Sequence, residues 1–191
     1  MYQLKVILAS TRPSRKGPAV ANWILQHCHE HDRFEVELLD LKTINLPFLD
    51  EPEHPRFRKY QHEHTKAWSR IIDGADAFII VTCEYNYGFP ATLKNALDFL
   101  FQEWGDKPVG IVSYGGVAAG TRAAQMLKPV LLALNTMPLN TSINIPFFTQ
   151  HIDEDGIFTS NEPLDKSAGQ MLKELEKWSG ILKEARLNKS K

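Results

Sequence analysis

The chain has 191 residues, 43% of them hydrophobic and 24% charged, which suits one globular domain with a full core. Its formal net charge of -1 excludes the strongly basic balance of a protein that binds nucleic-acid backbones. The two cysteines lie far apart without a C-x-x-C motif, which argues against a disulfide framework, a zinc site and an iron–sulfur cluster. No stretch approaches the roughly 18 apolar residues of a membrane span, and the apolar run near Met1 is too short for a signal peptide. We therefore expect a cytoplasmic protein of a reducing compartment, with no resident metal and no nucleic-acid or membrane partner.

Five short apolar runs alternate with longer segments of helical period. The runs cover residues 4–9, 36–41, 77–82, 109–114 and 139–145. Such alternation predicts βαβ units around a parallel sheet, and the nearly continuous apolar character of three runs is typical of strands covered on both faces. Pro138 and Pro146 bracket the fifth run, which favours an edge strand. The predicted fold is therefore a three-layer α/β sandwich.

Helices between the runs are indicated by apolar residues that recur at steps of three and four. The proline-rich segment 45–58 predicts a long surface loop that leads into a helix over 59–72, and Pro129 predicts a kink or a late helix start. We expect one domain over residues 1–186 and a frayed tail over 187–191. The predicted inward faces are Val20, Ile24 and Cys28; Leu93, Leu97, Leu100 and Trp104; Met126, Val130 and Leu134; and Met171, Leu175, Trp178, Leu182 and Ala185.

A loop rich in hydroxyl groups and cations follows the first run. In an open α/β sheet, ligands bind beyond the carboxyl ends of the strands, so this loop is a candidate site. It offers hydroxyl groups, backbone N–H groups and guanidinium groups to a phosphate at the start of a helix that Pro18 can open. An ordinary solvated turn is the alternative. The loop reads Ser10-Thr11-Arg12-Pro13-Ser14-Arg15-Lys16-Gly17.

Two further loops follow the third and fourth runs. The first, Glu84-Tyr85-Asn86-Tyr87-Gly88-Phe89, has the aromatic rings to wall a planar ligand. The second, Ser113-Tyr114-Gly115-Gly116-Val117-Ala118-Ala119-Gly120-Thr121-Arg122, has glycines that let the backbone approach a ligand closely. A packed aromatic turn explains the first loop equally well, and a glycine-rich loop by itself is weak evidence.

Three common motifs of α/β enzymes are missing from the sequence. The glycine-rich segment 115–121 lacks the lysine of a P-loop, and no G-x-G-x-x-G follows the first run. These absences argue against a nucleotide triphosphatase and a standard dinucleotide-binding fold. No G-x-S-x-G elbow is present, which argues against the common serine hydrolases of this fold class.

Three segments follow one another at the spacing of a known family. They are Thr11-Arg12-Pro13, then Glu84-Tyr85-Asn86 with Leu93-Lys94-Asn95-Ala96-Leu97-Asp98, then Ser113-Tyr114-Gly115-Gly116. Together they resemble the NADPH-dependent FMN reductase family of quinone, azo-dye and chromate reductases, over roughly residues 4 to 150. The resemblance implies a flavodoxin-like fold with strand order 2-1-3-4-5. The chain departs from the family at Cys83, usually proline, and at Ala9, often glycine, and neither change removes a hydrogen-bond donor.

The resemblance implies a function and a set of binding residues. It implies FMN as the cofactor, NADPH or NADH as the reductant, and a quinone, flavin, azo compound or similar small molecule as the acceptor. Hydride transfer would follow a two-electron ping-pong scheme with no catalytic acid or base in the protein. Ser10, Arg12, Ser14 and Arg15, in the loop with Lys16 and Gly17, would hold the phosphate. Glu84, Tyr85, Asn86 and Tyr87 would line the flavin edge, while Ser113, Gly115 and Gly116, beside Tyr114, would approach its pyrimidine side.

The same resemblance implies a homodimer or homotetramer in which a neighbouring chain completes part of each flavin pocket. The aromatic residues Phe89, Phe99, Phe101 and Trp104 support this expectation, because they exceed what one buried helix face can use.

Other functions stay open. A flavodoxin-type electron carrier shares the fold and the cofactor, but such carriers are usually acidic and lack arginine in the phosphate loop. A non-catalytic flavin-binding redox sensor is the second alternative. His27 and His31 form an i, i+4 pair able to bind a metal, yet no third ligand is in view, so we expect a solvated helix surface.

Overall fold

Five parallel strands form the central sheet of the computed structural model, which describes residues 1–189. Their order across the sheet is β2-β1-β3-β4-β5, which confirms the predicted order and the flavodoxin-like sandwich. All five predicted strands are present, with small shifts at their ends. In chain order they are β1 (Tyr2–Leu8), β2 (Phe34–Asp40), β3 (Ala77–Cys83), β4 (Pro108–Tyr114) and β5 (Met137–Ile145).

Burial follows the position of each strand in the sheet. Every residue of β3 and β4 is buried, because helices cover both faces of these central strands. Strand β5 lies at the edge of the sheet, as predicted from its prolines, and only three of its nine residues are buried. Pro138 pairs with Val109, and the β4–β5 register shifts between Val109 and Ile111, where proline has no N–H to donate.

Helices form the two outer layers. One face of the sheet carries α1 and α6, which bury Ile24 and Met171 against it. The other face carries α2, α3, α4 and α5, with Trp68 and Leu127 among the buried side chains. The helices are α1 (Gly17–His29), α2 (Leu41–Ile44), α3 (Glu63–Asp73), α4 (Ala91–Asp98), α5 (Thr121–Ala133) and α6 (Glu162–Lys189), with 3₁₀ turns at Pro55–Phe57, Gln102–Trp104 and Phe148–His151.

The helix after β3 is shorter than the apolar spacing predicts. Because α4 ends at Asp98, Leu100 and Trp104 lie beyond it. Both side chains are buried all the same, and the Trp104 indole N–H donates to the Leu97 carbonyl oxygen at 3.1 Å. The apolar spacing therefore reflects burial in the core rather than a continuous helix.

The predicted inward face of α5 is confirmed in part. Leu134 is buried and Val130 packs against the core, but Met126 is 53% exposed. The fully buried positions of this helix include Leu127, Leu131 and Ala123, so the helix turns a different residue of its first half to the sheet. The helix begins at Thr121 and continues through Pro129, so the prediction of a late start is wrong.

The long loop before α3 is fixed to the core by two carboxylates. The Glu51 carboxylate accepts hydrogen bonds from the backbone N–H groups of Gln61 (2.7 Å) and His62 (3.0 Å). These bonds hold residues 59–62 outside the helix, which begins later than predicted. The buried Glu103 carboxylate accepts from the Tyr60 hydroxyl at 2.8 Å and the Ser69 hydroxyl at 2.7 Å.

At the amino edge of the sheet, where the chain enters the parallel strands, a buried carboxylate gathers two cations. Asp76 is 5% exposed and accepts hydrogen bonds from Lys183 at 2.8 Å, Arg186 at 2.9 Å and the Gln3 backbone N–H at 3.0 Å. This cluster connects the end of α6 to the entrance of β1 and β3.

Lys107 is a second charged group buried at the amino edge. Its ammonium donates to the carbonyl oxygens of Ile72 (2.7 Å) and Asp73 (2.9 Å), where α3 ends. Burial lowers the pKa of Lys107 to about 8. The lysine therefore caps the end of a helix, where the macrodipole favours a cation.

The last helix continues through Lys189, so part of the predicted tail, residues 187–189, is helical. Ser190 and Lys191 of that tail lie outside the described residues. Although α6 is 28 residues long, charged side chains occur along its length. No helix in the described range has the apolar length needed to span a membrane.

Candidate cofactor-binding site

A cleft opens at the carboxyl edge of the sheet, where the loops after β1, β3, β4 and β5 meet. It brings together nine of the residues predicted from the sequence, drawn from three separate loops. Cys83 and Phe148 complete its wall. The lining residues are Ser10, Arg12, Arg15, Lys16, Cys83, Glu84, Tyr85, Tyr114, Gly115, Gly116 and Phe148.

The loop after β1 presents donors that the protein itself does not use. Arg12 is exposed, and within residues 1–189 its guanidinium forms no ion pair or hydrogen bond. The backbone N–H groups of Arg12, Ser14 and Lys16 likewise find no acceptor in the described chain. Helix α1 begins directly afterwards, and no side chain caps its start. This arrangement of a free guanidinium, free N–H groups and a helix N-terminus suits an anion.

Arg15, which was also expected at the phosphate, is held by a carboxylate. Its guanidinium donates to both Asp40 oxygens, at 2.6 and 2.5 Å, and also to the Ser10 carbonyl oxygen. The hydrogen bond between them raises the pKa of Arg15 and lowers that of Asp40. The pair therefore fixes the shape of the loop from the end of β2.

Gly17 lies where the loop after β1 contacts the end of β4. A Cβ built on Gly17 would lie 2.5 Å from the Ser10 hydroxyl oxygen and closer still to the Tyr114 hydroxyl. Tyr114 is buried and donates to the Ser10 hydroxyl oxygen at 3.2 Å, and burial raises its pKa. Its ring packs against Phe148, with the centroids 4.8 Å apart. Glycine is thus required for this packing, whereas Gly17 itself does not line the cleft.

The loop after β3 is a tight hairpin. Tyr85 and Gly88 exchange two backbone hydrogen bonds of 2.9 Å, and the residues between them, Asn86 and Tyr87, have φ angles of 49° and 69°. Positive φ at both central positions is the geometry of a two-residue hairpin turn, and it is strained for tyrosine. Tyr85 and Tyr87 are 42% and 64% exposed, and partial burial raises the pKa of Tyr85 to about 12.

An arginine that sequence analysis did not select joins this hairpin to α5. The Arg122 guanidinium donates to the Glu84 carboxylate at 2.8 Å and lies 4.2 Å from the centre of the Tyr87 ring. The Arg122 backbone N–H donates to the same carboxylate at 3.1 Å. Glu84 therefore connects two loops, while Asn86 and Tyr87 lie outside the lining of the cleft.

The loop after β4 is held in place by the buried hydroxyl group of Ser113. Ser113 is fully buried, and its hydroxyl oxygen lies 2.8 Å from both the Ala119 carbonyl oxygen and the Asn144 amide oxygen. Nothing lies within 4 Å of a Cβ built on Gly116, so a ligand has room beside this glycine. Ser113 thus supports the loop, whereas Gly116 presents open backbone.

Sequence analysis missed Phe148, Asp40 and Arg122. Phe148 follows β5, so the rule that ligands bind after strand ends could have identified it. Asp40 is the last residue of β2 and lies at the same edge. No local signal identifies Arg122, because its partners belong to another loop.

His27, on α1, and His31, just beyond the end of that helix, face carboxylates rather than solvent. His27 lies 3.0 Å from Asp165 and His31 lies 3.6 Å from Glu176, both on α6. The expectation of a solvated surface is therefore wrong, because α6 packs beside α1. Within residues 1–189, no group of three potential metal ligands occurs.

The fold and the cleft define an α/β protein with a loop of unpaired N–H donors and an aromatic hairpin at one edge of its sheet. A family model described as NADPH-dependent FMN reductase matches residues 3–150, and the chain belongs to this family. It is a flavin-dependent oxidoreductase that uses FMN and NAD(P)H.

Individual relatives agree with this assignment. An NAD(P)H-dependent FMN reductase of Schizosaccharomyces pombe is 42% identical over 148 residues, which cover 75% of this chain and 74% of that protein. An NAD(P)H:quinone oxidoreductase of Solanum tuberosum is 32% identical and covers 82% of each chain. Among solved structures, the flavoenzyme NAD(P)H:(acceptor) oxidoreductase of Paracoccus denitrificans is similar in fold, with a TM-score of 0.76 at 21% identity over 95% of this chain and 98% of that one.

Proposed function

We propose that this enzyme binds FMN in the cleft and uses NAD(P)H to reduce quinones, flavins, azo compounds or similar small acceptors. The observation that carries the proposal is the convergence of three predicted loops on one cleft whose anion-binding donors are free. When bound, FMN supplies the redox chemistry, since it accepts two electrons from the nicotinamide coenzyme and passes them to the acceptor.

The first loop fits a terminal phosphate. Arg12 supplies a free guanidinium, Ser10 a hydroxyl group, and Ser14 and Lys16 free backbone N–H groups. Arg15 holds the loop through Asp40, so we assign it a positioning role beside the phosphate. A charge-assisted contact of this kind is stronger than a neutral hydrogen bond.

The remaining loops fit the flavin ring. Tyr85 and the hairpin backbone offer one wall, and Gly115 and Gly116 let the backbone approach the opposite edge. Tyr114 and Phe148 form an apolar base beneath them. Donors in a partly dry site of this kind stabilise developing negative charge without reorganising.

Ping-pong kinetics follow from the single cleft. Because the base and two sides of the ring site are occupied by protein, the coenzyme and the acceptor must use the same open face in turn. Parallel double-reciprocal lines are therefore expected when initial rates are measured over a grid of NADPH and a quinone. Intersecting lines would contradict this scheme.

Flavin binding is the most direct test of the proposal. The purified protein should bind FMN in preference to FAD, because the first loop suits a monophosphate, and the bound flavin should be reduced by NADPH. Extraction and chromatography identify the flavin, and anaerobic absorption spectra follow its reduction. Failure to bind FMN would refute the proposal. Binding without NADPH oxidation would favour the electron carrier or the redox sensor.

We further propose a homodimer, although the structure buries aromatic residues that were expected to form its interface. Phe99 and Trp104 lie in the core, and of the four aromatic residues only Phe101 is exposed, at 40%. An apolar groove nevertheless lies between α4 and α5, lined by Leu100, Phe101 and Val130 among others.

A second copy of this chain suits the groove because two charges in its lining are self-complementary. Lys94 and Asp98 pair with each other at 2.6 Å within the chain, and a two-fold contact that places α4 antiparallel to itself would let each lysine pair with the partner's aspartate instead. Sedimentation at micromolar concentration should give the mass of a dimer or of a tetramer. The Phe101→Asp variant should sediment with a larger fraction of monomer. A fully active wild-type monomer would contradict the proposal.

A cytoplasmic location is the last part of the proposal. Both cysteines are free thiols buried in the fold, which suits a reducing compartment. Fractionation of the source cells would test the location.

A further inference from the structure

A second pocket lies beside the cleft, on the other side of the loop after β1. Thr11 belongs to its wall, while the neighbours Ser10 and Arg12 line the cleft, so one loop separates the two. The pocket has a volume of about 260 Å³. This is below the roughly 300–1,000 Å³ of sites that enclose a whole drug-sized ligand, so the pocket suits part of a larger molecule. Its lining consists of Thr11, Leu41, Lys42, Asn45, Leu46, Thr92, Asn95 and Ala96.

The walls of this side pocket are held in place by hydrogen bonds. The Asn95 side chain donates to the Pro47 carbonyl oxygen at 2.6 Å and accepts from the Leu49 backbone N–H at 3.0 Å. The Thr92 hydroxyl donates to the Ala9 carbonyl oxygen at 2.8 Å. The pocket is therefore largely pre-formed, which reduces the entropy lost when a ligand binds.

The side pocket is lined by both apolar and polar residues. Leu41, Leu46 and Ala96 provide apolar surface that suits the face of a flat base, and Thr11 and Asn45 add polar side chains. Lys42 is exposed, and no carboxylate of residues 1–189 lies within ion-pairing distance of its ammonium. The carboxylate nearest along the chain, Asp40, is already paired with Arg15. Lys42 thus supplies a cation without an ion-pair contact, although its charge helps to lower the pKa of Asp40.

We propose that the side pocket binds the adenosine end of the nicotinamide coenzyme and that Lys42 binds the 2′-phosphate, which makes NADPH the preferred reductant. The inference rests on the proposed function, since the nicotinamide end must reach the cleft. The side pocket shares the first loop with the cleft, so we place the adenosine end of the dinucleotide there. A lysine ammonium is a point charge suited to a phosphate.

Calorimetric titration of the FMN-saturated protein tests the inference without turnover. Adenosine 2′,5′-bisphosphate and 5′-AMP are the probes, and saturating FMN keeps both nucleotides out of the cleft. Lys42→Met should weaken binding of the bisphosphate by about ten- to hundredfold, as expected for a lost charge-assisted contact. Binding of 5′-AMP should change by less than about twofold, because it lacks the 2′-phosphate. Lys173→Met, an exposed lysine of α6, is the control with the same change of charge.

Steady-state kinetics give a second readout. In Lys42→Met the KM for NADPH should increase by a similar factor, while kcat and the KM for NADH stay at wild-type values. Equal binding of the bisphosphate by the two lysine variants, equal losses for both nucleotides, or no nucleotide binding would each overturn the inference. These failures are separable from failure of the proposed function, in which FMN is not bound or NADPH does not reduce it. The titration is repeated on flavin-free protein so that nucleotide binding is measured in either case.

Discussion

At the amino edge of the sheet, the buried Asp76 carboxylate is surrounded by Lys183, Arg186 and a backbone N–H group. At the carboxyl edge, the Arg12 guanidinium is exposed and has no partner among the described residues. The same strands therefore carry opposite arrangements of charge at their two ends. Removing one partner of a buried ion pair destabilises a fold, whereas the exposed Arg12 guanidinium beside free N–H groups has a role only when an anion binds. The comparison predicts that stability and cofactor affinity can be changed separately.

The largest effect is expected at the amino edge. Asp76→Ala removes the partner of two cations and of the Gln3 N–H, so the free energy of unfolding should fall by about 3 kcal/mol. Urea denaturation measures the change. Asp32→Ala, at an exposed turn, is the control and should stay within about 0.5 kcal/mol of wild type. A loss below 1 kcal/mol for Asp76→Ala would show that the cluster is not a stabilising feature.

The complementary change is Arg12→Ala at the carboxyl edge. The dissociation constant for FMN should increase by about ten- to hundredfold, because a charge-assisted contact to the phosphate is lost, while the urea midpoint of the apoprotein stays unchanged. Flavin titration gives the constant. Arg70→Ala removes another exposed arginine, on α3, and should leave FMN affinity unaltered. An unchanged constant in Arg12→Ala would place the phosphate elsewhere.

An intermediate effect is expected at the ion pair of Arg15 and Asp40, which we expect to contribute both to stability and to FMN binding. The pKa of Asp40 is lowered in the folded state, so its ionised form stabilises the fold above its usual value of 3.8, and this contribution is lost as the pH falls through the lower folded value. Asp40→Asn should reduce the free energy of unfolding at pH 7 by about 1 kcal/mol. The difference from wild type should vanish in acid.

The affinity of the Asp40→Asn variant for FMN is the second measurement. Release of Arg15 should weaken FMN binding through disorder of the first loop, so both measurements should change together. Loss of stability with wild-type FMN affinity would show that the pair does not shape the binding loop.

The smallest effect is expected at Arg122, which is exposed. Arg122→Ala removes the contacts to Glu84 and Tyr87, and the FMN dissociation constant should rise by no more than about fivefold. Arg122→Lys should restore part of the loss through the ion pair. A change beyond tenfold would mean that Arg122 contacts the cofactor directly.

The sequence predicted the sheet closely because its signals are local. A buried parallel strand is a continuous apolar run, and the runs at β1, β3 and β4 end where the binding loops begin. Since parallel strands share one carboxyl edge, the meeting of the loops could be expected. Helix faces were less predictable. Leucines and alanines, rather than Met126, form the buried side of α5, and α4 ends at Asp98, so that Trp104 is buried by a separate 3₁₀ turn.

By itself, the sequence determined the strand order through its family resemblance and the loops that form the cleft through their position after each run. Only the tertiary structure decided which cation of the first loop is free. Arg12 and Arg15 are equivalent in a local view, but Asp40 returns to the same edge at the end of β2 and pairs with Arg15 alone. Likewise, Glu84 is directed to Arg122 by a contact between residues 38 positions apart. Local sequence patterns specify which loop or element a residue belongs to. The hydrogen-bond and ion-pair partners of its side chain come from distant segments, so only the folded chain determines them.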